Sequence, residues 1–403
     1  MKTSSKFKIL GIHSYSEGVH SDGKSSKFSK ITKKYLLVLI LLLIQPVSPL
    51  YTQTVKLGVA LPLFENSEDP SQKQLGNDIL NGIRFALDNF NKNSNIKVEI
   101  DVKDTRKETE TTIKIFEELA KNDDMVCILG PVFSSELAAV VNIGENNNIS
   151  IISPTATGDE LAEKHDYVFQ LNPSYKVRGK SMAKYLIKET GFKNFVIIYE
   201  DTYGINFTRH FEKEVYSLKG KIILSEPFKK DTKNITDIIK KIHKVIKEND
   251  LFINFSDLNV TQIKKFEKAG VGSGLIDSLI ELKTEASIYY LLGKSAKRIL
   301  DTLNIKPHML KDEDSKFIQG YIDAIYIPIS NQSEISLIVP ELFSNGLSFF
   351  IAGTGDWNNE SALEDNKAYF KNFVFESEYF LDENSFKFQE FNSGLKNTKY
   401  NPN

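Results

Sequence analysis

The chain has 403 residues, enough for two domains with separate cores, and its 41% hydrophobic and 26% charged content is ordinary for a water-soluble globular protein. Fifty-one Lys and Arg against 53 Asp and Glu leave a formal charge of −2, so no basic excess points to nucleic acid. A single cysteine, Cys127, excludes an intrachain disulfide and a Cys-rich metal site.

The charge is uneven along the chain. Residues 1–50 carry eight Lys against Glu17 and Asp22, a balance of +6 that leaves −8 for the remainder. Lys27, Lys30, Lys33 and Lys34 precede an apolar run at 36–44, followed by Gln45-Pro46-Val47-Ser48-Pro49. That run is short of the roughly 20 residues a membrane span requires. Residues 1–54 therefore read as a basic leader and secretory signal, with an uncleaved anchor as the alternative. No A-x-A pattern marks a cleavage site, which is placed between Ser48 and Thr54, and no Cys directly follows the run to take a lipid. The expected location is periplasmic or otherwise extracytoplasmic, and the lack of disulfides favours a bacterial over a eukaryotic exported protein. Seven Asn-x-Ser/Thr sequons occur, Asn148, Asn206 and Asn254 among them; Asn is frequent throughout, and chance accounts for them.

From Val55 short apolar strands alternate with amphipathic helices. Residues 56–63 read as a strand, and 77–90 as a helix with Ile79, Ile83, Ala86, Leu87 and Phe90 on one face. Strand 98–102, helix 109–121, strand 126–129, helix 135–145 and strand 149–152 follow. A break at Leu171-Asn172-Pro173-Ser174 restarts the alternation with helix 176–189, strand 195–199, helix 205–218 and strand 221–224. The pattern predicts an α/β fold of two doubly wound, parallel-sheet lobes joined by a hinge, lobe 1 over 55–173 and lobe 2 over 174–403. Such lobes hold ligands between the carboxyl ends of their strands. Residues 229–320 are less regular and rich in Lys and Asn; they read as an inserted helical subdomain with several helical stretches, such as 284–304, or as an arm that docks a partner. Strand 323–329, helix 333–345, and strands 348–352 and 373–379 close the reading.

The functional candidates stand where strands end. Gly130-Pro131-Val132-Phe133-Ser134-Ser135 leads from a strand into a helix, where Ser134 is placed to cap the helix or to help its free N–H groups hold a carboxylate. Ser153-Pro154-Thr155-Ala156-Thr157-Gly158 supplies two threonine hydroxyls and turn backbone, suited to a small polar ligand or to an ordinary turn. Glu200-Asp201-Thr202-Tyr203-Gly204 ends the first strand of lobe 2, with Tyr203 at the mouth of the cleft or packed in the turn.

In this order and spacing the elements resemble type I periplasmic binding proteins, above all the leucine/isoleucine/valine-binding kind. That family shows G-x-x-x-S-S about 20 residues before S-P-x-A-T, then an aromatic with R/Q-x-x-P, then Y-G after the first strand of lobe 2. Here the counterparts are Gly130…Ser134-Ser135, Ser153-Pro154-Thr155-Ala156-Thr157, Tyr167-Val168-Phe169-Gln170-Leu171-Asn172-Pro173 and Tyr203-Gly204, covering about 55–228. The resemblance implies a closing receptor for a small amino-acid-like ligand, serving an ABC permease. It implies that Ser134 and Thr157 hold the α-carboxylate, that the Thr155 carbonyl accepts from the α-ammonium, and that Tyr203 contacts the ligand from lobe 2. Asp356, in Thr354-Gly355-Asp356-Trp357, is the implied acidic partner of the ammonium. Charge-assisted contacts of this kind satisfy a zwitterion without an added net charge.

The second half departs from that pattern. Ser330-Asn331 stands where an aromatic is usual, and the segments 323–329, 349–357 and 372–380 are similar to penicillin-binding protein activators. That branch implies a protein-interaction module whose partner is a peptidoglycan synthase. Family members also continue past a segment like 388–402 with helices that return to lobe 1. The expectation is therefore that part of 229–320 completes lobe 1, or that the chain is shortened. No H-E-x-x-H, P-loop, G-x-S-x-G or calcium-loop motif occurs, and Gly270-Val271-Gly272-Ser273-Gly274 does not match a dinucleotide loop. The six His are scattered without metal-ligand spacing, so no catalytic residue, metal or cofactor is expected.

Overall fold

The computed structural model describes residues 53–310, 316–369, 372–378, 382–396 and 398. The basic and apolar stretches of the leader lie outside the described residues, and the readings of signal and anchor with them. Among the described residues no helix is long and apolar enough to cross a membrane.

Lobe 1 runs β1 (Gln53–Leu61), α1 (Pro70–Asn93), β2 (Ile96–Asp104), α2 (Thr109–Leu119), β3 (Met125–Leu129), α3 (Ser134–Asn147), β4 (Ser150–Ser153) and β5 (Val168–Gln170). Helix α1 starts seven residues before the apolar pattern does, because Asp69 accepts from Ser71 N and Pro70 fits the first turn. Its first two turns are mostly exposed, with Leu75 the one large apolar side chain, and so carry no apolar periodicity. The strands lie in the order β2-β1-β3-β4-β5, with β1–β3, β3–β4 and β4–β5 parallel. Successive side chains face opposite ways. Val59 and Leu61 meet Leu80 of α1 on one face, while Ala60, Ile128 and Ile151 meet Phe116 and Leu137 on the other. Each fully buried side chain of this size contributes about 1.5–3 kcal/mol.

Lobe 2 begins with α4 (Tyr175–Lys188), β6 (Asn194–Glu200), α5 (Gly204–Ser217), β7 (Lys221–Phe228) and α6 (Thr236–Asn249). An interruption follows: β8 (Phe252–Ile253), α7 (Val260–Lys268), α8 (Ser273–Glu281), β9 (Glu285–Ser287), α9 (Ile288–Leu292), α10 (Ala296–Leu303) and β10 (Phe317–Ile318). The lobe resumes with β11 (Ala324–Ile327), α11 (Ile335–Ser344), β12 (Phe350–Gly353), α12 (Glu360–Asp365) and β13 (Phe373–Phe375), and α13 (Phe386–Lys396) comes last. Its sheet, β13-β12-β11-β6-β7, is parallel throughout. Read from β7, this repeats the strand order of lobe 1. Each lobe thus has one topological switch point, between β1 and β3 and between β6 and β11, where ligands bind in open α/β sheets.

The expectations for 229–320 need correction. Helix α6 belongs to the lobe-2 layer, with Ile239, Ile242 and Ile246 in the same core as Ile325 and Ile327. The interruption is not purely helical: β10-β9-β8 form a small mixed sheet. It has its own core of Phe255, Phe266, Ile276, Leu279, Ile288 and Leu300. The stretch 284–304 is not one helix. Glu285–Ser287 pair as β9, the Ser287 side chain accepts from Tyr289 N, and Gly293 at φ 59° ends α9. Buried Asp250, just before the interruption, accepts from Ser287 Oγ of β9 at 2.6 Å and from Gly320 N, just after β10, at 3.1 Å. No described residue of 229–320 enters either lobe-1 core cluster. Lobe 1 is instead joined by α13, whose Phe391 stands edge-on to Phe85 with ring centroids 5.4 Å apart.

Candidate functional site

On lobe 1 the site is built from the loops that leave β3 and β4. Gly130 has φ +112°, and a Cβ there would fall 2.0 Å from Ala60 O, so only glycine lets the chain leave β3 against β1. Ser134 is the first residue of α3 and does not cap it; Phe133 holds the cap position without a side-chain bond. The Ser134 hydroxyl accepts instead from Thr157 N at 3.1 Å and Gly158 N at 2.9 Å. Thr155 Oγ1 donates to Val132 O at 2.8 Å, and buried Ser153 Oγ donates to Pro131 O at 2.6 Å. Gln170 Nε2 donates to the carbonyls of Ala156 and Gly158, both at 3.0 Å. The two loops therefore form one preorganised unit, with Ser134 and Thr157 in direct contact and Thr155 anchored beside them.

This unit is fastened to the start of lobe 2. Thr157 O accepts from Tyr175 N at 3.0 Å. Asp159 accepts from Lys176 N at 2.7 Å and pairs with His210 Nε2 at 2.6 Å.

On lobe 2, Tyr203 and Asp356 come together: the phenol donates to Asp356 Oδ2 at 2.8 Å, and Thr354 Oγ1 donates to the same oxygen at 3.1 Å. Burial, reinforced by the Asp356 carboxylate, pushes the Tyr203 hydroxyl well above the ordinary tyrosine range, so it remains a donor. Its ring is set by edge contacts with Tyr175 at 6.0 Å and Phe207 at 5.1 Å. Gly204 has a steric reason: a Cβ would lie 2.3 Å from Pro328 O, where α5 approaches the end of β11. Thr157, Tyr175, Tyr203 and Asp356 thus form one chain of contacts from the lobe-1 loops to the lobe-2 wall.

Behind that wall stands a group the motifs did not single out. Arg178 of α4 is 2% exposed; its Nε donates to Glu376 Oε1 at 2.7 Å, and its Nη1 lies 2.7 Å from Glu378 Oε1. The guanidinium lies 4.6 Å from the Phe207 ring centroid. Burial alone would disfavour its charge, but Glu376 and its neighbours hold it above its ordinary value. A signal was present in the sequence. Arg178 stands four and eight residues before Met182 and Leu186, on the face that α4 buries.

The lobe-2 switch point carries a second missed group. Glu200 accepts from Ser330 N at 2.9 Å and Thr202 Oγ1 at 2.8 Å. Glu334 is 2% exposed, accepts from Asp231 N at 3.3 Å, and its Oε2 has no hydrogen-bond partner. Burial, with Glu200 and Asp231 adding to it, pushes this carboxyl up to about 7. Two cavities lie away from the site. One of about 580 Å³ borders α12 at Asn358, Glu360 and Leu363, and another of about 580 Å³ borders α6 at Lys240, His243 and Lys247. Among the described residues no cluster of His, Cys, Asp or Glu has the geometry to hold a metal.

The fold is that of type I periplasmic binding proteins. Residues 79–271 match the family model described as the receptor family ligand binding region. An ABC transporter substrate-binding protein from Desulfitobacterium hafniense, solved in complex with leucine, is 15% identical at a TM-score of 0.50, covering 85% of this chain and 76% of its own. A solute-binding protein of an ABC transporter from R. palustris, in complex with 4-hydroxybenzoate, is 16% identical at a TM-score of 0.51, covering 87% and 75%. An ABC transporter substrate-binding protein from Sphaerobacter thermophilus is 15% identical at 0.52, covering 85% and 74%. An uncharacterised protein of Methanocaldococcus jannaschii is 29% identical over 120 residues, 28% of this chain and 28% of that relative's length.

Proposed function

We propose that this chain is an extracytoplasmic solute-binding protein that closes on a small ligand, an amino acid or related amide, for ABC-type uptake or sensing. It binds and does no chemistry on what it binds. The observation that carries the reading is the pairing of Tyr203 with Asp356 on lobe 2, linked through Tyr175 to the Ser134–Thr157 unit on lobe 1. Asp356 offers a carboxylate to an ammonium, while the Ser134 and Thr157 hydroxyls and the amides at the start of α3 offer donors to a carboxylate. The structural relatives solved with leucine and with 4-hydroxybenzoate support a small-solute role, and the acidic lobe-2 wall favours the ligand that carries a cation. Thermal denaturation of the purified protein against the twenty amino acids and their amides tests this. At one hundred times Kd a true ligand adds about 2.7 kcal/mol of stability, a clear rise in Tm.

A second reading rests on the interruption from β8 to β10. Its separate core and small sheet, inserted between α6 and β11, support an arm that docks a protein, and the segments around β11, β12 and β13 are those similar to penicillin-binding protein activators. On that reading no amino acid shifts Tm, and a peptidoglycan synthase is retained by the immobilised chain.

A further inference from the structure

We propose that Arg178 is the positioning residue of the lobe-2 wall: through Glu376 it fixes the turn that carries Asp356, and through Glu378 it ties that wall to the residues directly after β13. The inference rests on the reading of Asp356 as the partner of a ligand ammonium.

Glu376 is the junction. It accepts from Arg178 Nε at 2.7 Å and from Gly355 N at 3.3 Å, so one carboxylate holds both the start of α4 and the backbone next to Asp356. Arg178 also stacks on Phe207, whose ring meets Tyr203, the donor to Asp356. Asp356 is thus held from two sides, by its backbone through Glu376 and by its carboxylate through Tyr203, and both routes end at the same guanidinium. Glu378 extends the cluster into the segment between β13 and α13, the helix that meets Phe85 of lobe 1. Arg178 itself lies one turn into α4, directly after the 171–174 crossing. One side chain therefore binds the start of α4, just after the 171–174 break, to Glu376 and Glu378, which follow β13.

The chemistry of the cluster argues against a purely structural role. Arg178 Nη2 and Tyr326 Oη are both buried without a hydrogen-bond partner, and burial pushes the Glu376 carboxyl above its ordinary value while Arg178 opposes it. A buried ion cluster with unsatisfied donors stabilises a fold less than well-packed apolar side chains would. What it supplies is a fixed orientation: Glu376 and Glu378 are paired to one guanidinium, and Glu376 also holds the backbone N–H of Gly355 next to Asp356.

The test is ligand binding by the full chain, measured by calorimetry with whichever of the twenty amino acids binds most tightly. The doubly substituted chain Arg178→Met/Glu376→Gln removes both charges together and leaves the other walls in place. The expected result is at least tenfold weaker binding, and a similar loss for Asp356→Asn. Combining the two changes adds less than threefold, because both act on the same carboxylate. Ser134→Ala, on the opposite wall, multiplies its loss in full. A residue that merely stabilised the fold would multiply with both. Binding within twofold of wild type, or losses that multiply with Asp356→Asn, overturns the proposal while leaving the receptor reading intact. If the wild-type chain binds none of the twenty, the reading of Asp356 fails and the inference with it. Should the doubly substituted chain not fold, Glu378→Gln at the half-exposed rim serves instead. At least threefold weaker binding at unchanged Tm is expected, and unchanged affinity overturns the proposal.

Discussion

Tyr203 and Asp356, 153 residues apart in the chain, meet through a 2.8 Å hydrogen bond at the carboxyl ends of β6 and β12. In the sequence the two are marked separately, Tyr203 by the Tyr203-Gly204 pair and Asp356 by the acidic position that the family resemblance implies. Their contact makes a single wall in which a donor that stays protonated orients a carboxylate.

Tyr203→Phe deletes the hydrogen bond and keeps the ring contacts with Tyr175 and Phe207. A bond to a charged acceptor contributes about 1.5–3 kcal/mol, so ligand affinity should fall roughly ten- to a hundredfold. The packing is retained, and Tm should move little. Calorimetric titration read beside thermal unfolding checks both halves.

Glu334 predicts a pH dependence of stability. Its carboxyl titrates at about 7 in the fold against 4.5 when unperturbed, so folding favours the protonated form. The contribution is complete below about pH 4.5, declines as the pH rises towards 7, and is lost above that. Glu334→Gln keeps a neutral polar side chain and should be the more stable form above pH 7, by on the order of 1–3 kcal/mol. Urea unfolding of the two chains from pH 5 to 8 gives the difference curve; a flat difference contradicts the assignment.

Arg178→Met alone leaves Glu376 and Glu378 facing each other without a cation. Removing one member of a buried ion cluster costs about 3–5 kcal/mol. Adding Glu376→Gln should recover much of that loss, and denaturant midpoints of the three chains measure the coupling.

Gly204→Ala places a methyl where the Pro328 carbonyl already stands, 2.3 Å away. Helix α5 must shift from β11, at a cost of about 1–3 kcal/mol. Because Tyr203 precedes it, affinity should fall together with stability. Parallel Tm and Kd measurements distinguish this from Tyr203→Phe, where affinity falls almost alone.

The alternation of strands and helices was legible because β1, β3 and β6 are apolar runs bounded by turn residues, and α2, α5 and α6 carry clear amphipathic faces. Local chemistry also marked Gly130, Ser134 and Tyr203-Gly204, where close backbone approach or a loop hydroxyl leaves a trace in residue type. Pairings between distant segments left no such trace. Arg178 and Glu376 are 198 residues apart, and only the β13 pairing beside β12 brings them together. The strands β8, β9 and β10 have two or three residues each, too short for a period to show, so the interruption read as helical. Ser134 resembled a helix cap because its position suited one; its actual partners, Thr157 N and Gly158 N, come from the loop after the next strand.

The most direct test of the receptor reading is calorimetric titration of the purified chain with each of the twenty amino acids, repeated with Asp356→Asn. The account predicts that at least one binds with Kd of about 1 μM or tighter, near −8 kcal/mol, and that Asp356→Asn weakens it at least tenfold. No heat of binding from any of the twenty, or binding that Asp356→Asn leaves unchanged, would contradict it.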